Sequence, residues 1–352
     1  MTRRAALGLG VAAAAGAVAY LVSRGSGSLP PAPAPPGSTP SAPNPGAKVY
    51  VYTTGAAAFD PTTTIASLAA SGNAALIGGM SWVFPWSTIE PAPGQYDWSS
   101  VDKALAATSS WGRPSILRII AGQDSPIWAT NSLPSVSLSF TNALAKGETI
   151  TMPITWDPAF ISTWSRFIAA YGARYNGDSR IFLVQMPGCG RIGEMALGEW
   201  AGWRSTVPPP NGCGSEPYSD SVYVGAWEQV IAAYRAAFPR TPSALDIGEP
   251  IKGANAVHPL VAAVSSRYGR DVWFQANGLG HQTATSPIGA ELKSLTAITE
   301  VGWQMWAGNN SPGALMTALK NAIATNARYV EVYLSDCLKS SNTTALQAAT
   351  AA

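Results

Sequence analysis

Eight short apolar runs alternate with eight amphipathic stretches between Lys48 and Ala352, and this alternation constrains the fold more than any other feature. The runs lie at 49–52, 75–78, 116–120, 181–186, 244–247, 272–276, 297–301 and 329–333. They are nearly continuous in apolar character, as strands covered on both faces are. The helical stretches lie at 61–70, 101–109, 158–175, 220–238, 257–268, 287–294, 312–324 and 343–351. Asp157 before Pro158 is a typical helix start, a capping side chain followed by a ring that needs no amide partner. Eight strand–helix repeats over about 300 residues predict an α/β chain with a single closed (β/α)8 parallel barrel, a TIM barrel. The competitor is an open doubly wound sheet, which carries a Gly-rich phosphate loop after an early strand. Gly78-Gly79 lacks that pattern.

Two connections are long. One runs over 121–157 after the third strand and one over 187–219 after the fourth. Both leave the C-terminal ends of strands, where barrels of this kind build their sites, and together they predict a walled cleft.

The N-terminal part has a different character. Arg3 and Arg4 precede an uncharged apolar stretch over 5–22, and Ala17-Val18-Ala19 offers a small-x-small cleavage site. Residues 1–26 read as an export signal or, alternatively, a membrane anchor. The paired arginines resemble a twin-arginine signal, although Ala5-Ala6-Leu7 departs from its usual bulky continuation. Residues 27–47 read as an extended Pro/Ala/Ser-rich linker, with 8 of the 28 prolines between Leu29 and Gly46. The expectation is a secreted or envelope-associated protein whose folded domain spans 48–352. Only 12% of residues are charged, about half the usual ~25%. With Arg3, Arg4 and Arg24 set aside, 19 basic side chains face 20 acidic ones. A near-neutral body has no footprint for a phosphate backbone, which argues against a nucleic-acid partner.

The stretch Trp86-Ser87-Thr88-Ile89-Glu90-Pro91-Ala92-Pro93-Gly94-Gln95-Tyr96-Asp97-Trp98, with Asp102 beyond it, follows the second strand. Ile298-Thr299-Glu300-Val301-Gly302-Trp303 covers the seventh, and Phe167 to Glu194 spans the third helix and fourth strand. Together these resemble the clan A glycoside hydrolases, (β/α)8-barrel enzymes, over nearly all of the segment from Lys48 to Asp336. The resemblance implies a retaining glycosidase without a cofactor, acting on an oligo- or polysaccharide. Such chemistry needs one carboxyl to protonate the departing oxygen and one carboxylate across the sugar ring. Glu194 is the expected acid/base and Glu300 the expected nucleophile. The clan usually places Asn-Glu directly at the end of strand four, whereas here Pro187-Gly188-Cys189-Gly190 stands there and Glu194 follows later. Glu249 is the substitute acid. Glu331 is the reserve nucleophile, or balances the charge of Arg118 inside the barrel.

Trp82, Trp86, Trp128, Trp303 and Trp306 follow strand ends and are candidates for stacking on sugar rings, with Trp303 the foremost; packing beneath long loops is the other reading. Trp111 and Trp164 read as helix or core residues. Asn277 and His281 are candidate donors to sugar hydroxyls, although a turn also explains Asn277-Gly278. His258 is the only other histidine, so no metal site is expected. Cys189 and Cys213 form one candidate disulfide and Cys189 and Cys337 another; the spacing does not choose between them. A non-catalytic carbohydrate-binding or envelope-associated barrel is the rival reading. An esterase ranks last, for want of a Gly-x-Ser-x-Gly elbow.

Overall fold

A computed structural model describes residues 47–53, 60–139, 149–192, 194–197, 217–251 and 253–350. Residues 1–46, read above as leader and linker, lie outside the described residues, as does Cys213. Eight strands close into a parallel barrel: β1 (Lys48–Tyr52), β2 (Ile77–Pro85), β3 (Ser115–Ile120), β6 (Ile181–Gln185), β7 (Ser243–Ile247), β8 (Val272–Leu279), β9 (Val301–Met305) and β10 (Tyr329–Tyr333). β10 returns to β1, with Val49 opposite Val330 and Tyr52 opposite Tyr333. The barrel predicted from the alternation is the fold observed.

Helices α3 (Ser99–Ser110), α5 (Pro158–Tyr175), α6 (Asp220–Ala237), α7 (Val257–Tyr268), α8 (Pro287–Leu295), α9 (Pro312–Ala324) and α11 (Thr343–Thr350) join α1 (Pro61–Ala69) between and after the strands. Four of them begin with proline after a capping Asp or Ser: Asp60, Asp157, Ser286 and Ser311 each accept from a backbone amide of the first turn. Such caps satisfy donors that the first turn leaves without an intrahelical partner. The connection after β3 carries the short helix α4 (Ile127–Ser132) and an antiparallel hairpin of β4 (Ser135–Ser139) and β5 (Thr149–Pro153). Two further short helices, α2 (Trp86–Ile89) and α10 (Leu334–Cys337), follow β2 and β10 directly.

Two strands lie further along the chain than their apolar runs suggest. The second begins at Ile77, because residues Ala74–Leu76 form a 3-10 turn. The seventh begins at Val301, where the sequence reading ends it. Ala297, Ile298 and Thr299 instead form the turn out of α8, with Thr299 donating its hydroxyl to the Val272 carbonyl. A four-residue shift keeps the alternation of faces and moves every side chain about 13 Å along the barrel.

The barrel interior has two levels. An apolar plug of Tyr50, Ile116, Leu183, Ala244 and Tyr329 fills the N-terminal end, with Phe182 and Trp273 packed against it. Above it, several strands contribute buried polar side chains: Ser81, Arg118, Gln185, Asp246, Gln275, Gln304 and Glu331. Gln185 joins the levels by donating to Tyr329 Oη at 3.1 Å and Gln275 Oε1 at 2.6 Å. The large apolar residues between strands and helices form the outer core.

Candidate active site

Arg118 is the centre of the interior polar level. Its guanidinium lies 3.0 Å from Asp246 Oδ2 and 3.1 Å from Glu331 Oε2, and Nη1 donates to Gln304 Oε1 at 2.7 Å. Ser81 donates to the other oxygen of Glu331 at 2.6 Å, and Gln275 Nε2 to Oε2 at 3.0 Å. Glu331 is 0% exposed. Glu331 is thus a buried ion-pair partner of Arg118. Burial pushes the Asp246 carboxyl up to about 8, against the pull of Arg118, which also serves Glu331. One cation between two buried carboxyls leaves the level most stable with a proton on Asp246.

Glu194 lies above this level, at the C-terminal ends of the strands. Asn277, near the end of β8, donates Nδ2 to Glu194 Oε2 at 2.6 Å. The loop after β6 reaches this place by folding back on itself. Arg191 N bonds to Ala196 O at 2.9 Å, and Leu197 N to Pro250 O at 2.8 Å. The Tyr223 hydroxyl, from α6, ties the Cys189 and Met195 carbonyls together. Gly190 makes the fold-back sterically feasible: a Cβ there would lie 1.3 Å from the Glu194 carbonyl oxygen. The glycines that replace the expected Asn-Glu pair thus allow a later glutamate to return to the barrel mouth. Burial raises the Glu194 pKa, while the bond from Asn277 and the charges of Arg118 and Arg191 pull it back.

Asp124, in the turn Gly122–Asp124 after β3, is a carboxyl that the sequence reading missed. Burial brings it to about 6, with Arg191 acting in the opposite direction. The turn is fixed to the Glu194 loop, since Gln123 N bonds to Arg191 O and Arg191 Nη1 donates to Gln123 Oε1, both at 2.9 Å. Arg191 therefore acts on the charges of both Asp124 and Glu194.

Glu300 is not part of this group. It precedes β9, and its carbonyl accepts from Phe274 N at 3.2 Å, near the start of β8. Asn277 and Glu194 lie toward the other end of the barrel. The four-residue shift of the seventh strand is the reason, and it places the amide of Gln304 in the interior instead. Glu249 is exposed and accepts from Gly253 N within its own turn.

The tryptophans divide. Trp303 is fully buried and donates to Thr325 Oγ1 at 2.8 Å, so it packs outward beneath α9 and offers a ligand no face. Trp82 is likewise buried and donates to Thr108 Oγ1 of α3 at 2.9 Å. Trp86 is buried against Trp128, Trp164, Phe160 and Phe167, and donates to Glu90 Oε2 at 2.7 Å. Glu90 Oε1 accepts from Gly94 N at 2.7 Å, while its carbonyl accepts from Trp128 Nε1 at 2.8 Å. The Trp86–Trp98 motif is thus a folding device for the loop after β2. Trp306, 58% exposed, lies 5.4 Å from the ring of exposed His281. Cys189 and Cys337 are both buried and do not bridge each other; the Cys189–Cys213 pairing involves a residue outside those described. Among the described residues no cluster of His, Cys, Asp and Glu is arranged to hold a metal ion.

Residues 78–187 match the family model of glycoside hydrolase family 42, described as beta-galactosidase. The matched segment runs from β2 through β6 and stops short of Glu194. No curated protein matches the chain. Among solved structures, the catalytic domain of beta-amylase from Paenibacillus polymyxa superposes with a TM-score of 0.61 at 11% identity, over 86% of this chain and 95% of that one. Endo-glycoceramidase II from Rhodococcus sp. superposes with a TM-score of 0.50 at 11% identity, over 82% of this chain and 73% of that one. At such identities the likeness is one of fold. The resemblance to barrel glycoside hydrolases thus has a family-model match over 78–187 and a shared architecture.

Proposed function

We propose that the chain hydrolyses a glycosidic bond of an oligo- or polysaccharide at the C-terminal mouth of its barrel, with Glu194 donating the proton to the leaving oxygen. The observation that carries this reading is the position of Glu194: a carboxyl with a raised pKa, oriented by Asn277 above a buried polar level. A general acid works best when it still holds its proton near the working pH. Asp124 is the second carboxyl of the proposal. It stands at the end of a neighbouring barrel strand and shares Arg191 with Glu194. Glu331 does not take this role, since Ser81, Arg118 and Gln275 occupy its oxygens.

The expected retention of configuration rested on Glu300. With Asp124 in its place, the anomer formed first, read by proton NMR, decides between direct attack by the carboxylate and attack by an activated water. The main test is hydrolysis of a panel of plant and bacterial-envelope glycans, β-galactosides included. Glu194→Gln and Asp124→Asn are each expected to lower kcat by roughly 10²–10⁴-fold. Export through residues 1–26 belongs to the same proposal and is tested by cell fractionation with N-terminal sequencing of the mature chain.

One observation favours a non-catalytic, carbohydrate-binding barrel as the second reading. The resemblance implies a carboxylate nucleophile on the seventh strand, and the interior residue there is the amide Gln304. Glycan binding by wild type without cleavage of any panel member selects this reading.

A further inference from the structure

Beside the mouth, the turn after β8 and the residues after β9 enclose a groove against α9. Its volume is about 490 Å³, within the ~300–1,000 Å³ typical of small-molecule sites. The two loops are fastened together, since Trp306 N bonds to Leu279 O at 2.9 Å. His281 N and Gln282 N both bond to Gly278 O, at 3.0 and 2.7 Å, closing the turn that brings His281 to Trp306. Gly278 has φ +105, a conformation that L side chains rarely adopt. The groove is therefore built on fixed backbone.

Its chemistry is neutral and two-sided. Among the described residues no Lys, Arg, Asp or Glu lines it. Trp306 supplies a flat aromatic surface that is 58% exposed. On the polar side, Asn310 Nδ2 is held by Asp336 Oδ2 at 2.7 Å, and Thr317 donates its proton to Gly313 O. Asn310 Oδ1 and the Thr317 hydroxyl oxygen remain as acceptors. Neither ring nitrogen of His281 has a hydrogen-bond partner among the described residues. A flat apolar face opposite uncharged polar groups suits a ring with C–H groups on one face and hydroxyls at its edge. The groove and the candidate active site share the end of β8: a Cβ on Gly278 would meet Trp306 Cε3 at 3.6 Å, and the preceding residue is Asn277, the partner of Glu194.

We propose that this groove is an accessory subsite that binds a second, neutral sugar unit of the same substrate, stacked on Trp306, so that the chain acts on oligosaccharides in preference to simple glycosides. The inference rests on the proposed glycosidase reading for its link to turnover, but not for binding. The test uses ladders of two to six β-linked galactosyl, glucosyl, xylosyl and mannosyl units. Isothermal titration of Glu194→Gln with the ladders reads binding without turnover. Affinity is expected to rise with length in at least one ladder, and Trp306→Ala in the same background is expected to weaken the longer members by roughly three- to tenfold. In active enzyme the ratio of kcat/KM between long and short members is expected to fall by a similar factor in Trp306→Ala and in His281→Ala. Binding that depends on Trp306 without cleavage by wild type refutes the glycosidase reading and retains the subsite. The subsite is overturned if no ladder binds, if affinity is independent of length, or if Trp306→Ala binds long and short members as wild type does.

Discussion

Asn277 Nδ2 donates to Glu194 Oε2 at 2.6 Å, fastening the end of the sixth barrel strand to the loop that follows the fourth. Gln275 extends the connection downward, with Nε2 at 3.0 Å from both Asn277 Oδ1 and Glu331 Oε2. The carboxyl proposed to carry the proton is thereby coupled to the Arg118 level through two side-chain amides. Burial raises the Glu194 pKa, and the Asn277 bond is the foremost of the influences that lower it.

Asn277→Ala is expected to raise the Glu194 pKa further. An acid that must be protonated to act then stays competent to higher pH, so the alkaline limb of kcat/KM moves upward. The pH–rate profile checks this; a limb that stays put or moves downward contradicts the assigned roles.

Asp246 makes stability depend on pH in a direction opposite to that of an ordinary paired carboxylate. Its folded pKa, about 8, lies well above the 3.8 of an ordinary aspartate. The folded state therefore retains a proton that the unfolded chain releases between those values, and stability falls as pH rises through that window. The slope is at most roughly 1.4 kcal/mol per pH unit. Asp246→Asn, a neutral isostere, is expected to gain Tm relative to wild type as pH goes from about 4 to 8 and to hold that gain above it. Parallel Tm curves for the two proteins over that range contradict the assignment.

Gly190→Ala tests how Glu194 reaches the mouth. The added Cβ has no room beneath the Glu194 carbonyl oxygen, so the fold-back must open. Turnover is expected to fall by more than tenfold, because even about an ångström of misplacement costs up to ~100-fold. Far-ultraviolet circular dichroism should stay near that of wild type, since the barrel strands lie outside the loop. Unchanged turnover would show that the loop does not position the acid.

Much of the fold was legible because covered parallel strands leave short apolar runs, and Pro-initiated helices announce their starts. The polar level was legible in principle too: Arg118 in SILRII, Asp246 in SALDI, Gln275 in VWFQANGL and Glu331 in YVEVY each interrupt an apolar strand. A charge in such a strand must face the interior and find a partner there. Glu300 was misplaced because Ala297-Ile298-Thr299 has strand-like composition while serving as a turn, and local composition does not set register along a barrel. Trp82 and Trp303 were misread because periodicity fixes alternation but not which face looks inward; both point to the helices and donate to threonines there. Glu194 depends on a contact between Gly190 and its own backbone, which the run of residues alone does not display.

The central claim is that the reactive carboxyl is Glu194 at the C-terminal mouth, and not Glu300 at the other end of the barrel. Reducing-sugar release from a broad glycan panel by wild type, Glu194→Gln and Glu300→Gln, run side by side, tests it most directly. Wild type is expected to cleave at least one glycan, Glu194→Gln to lose roughly 10²–10⁴-fold in kcat, and Glu300→Gln to stay within about threefold, as a side chain remote from the chemistry does. Loss of turnover in Glu300→Gln with activity retained in Glu194→Gln, or a wild type that cleaves nothing, would contradict the account.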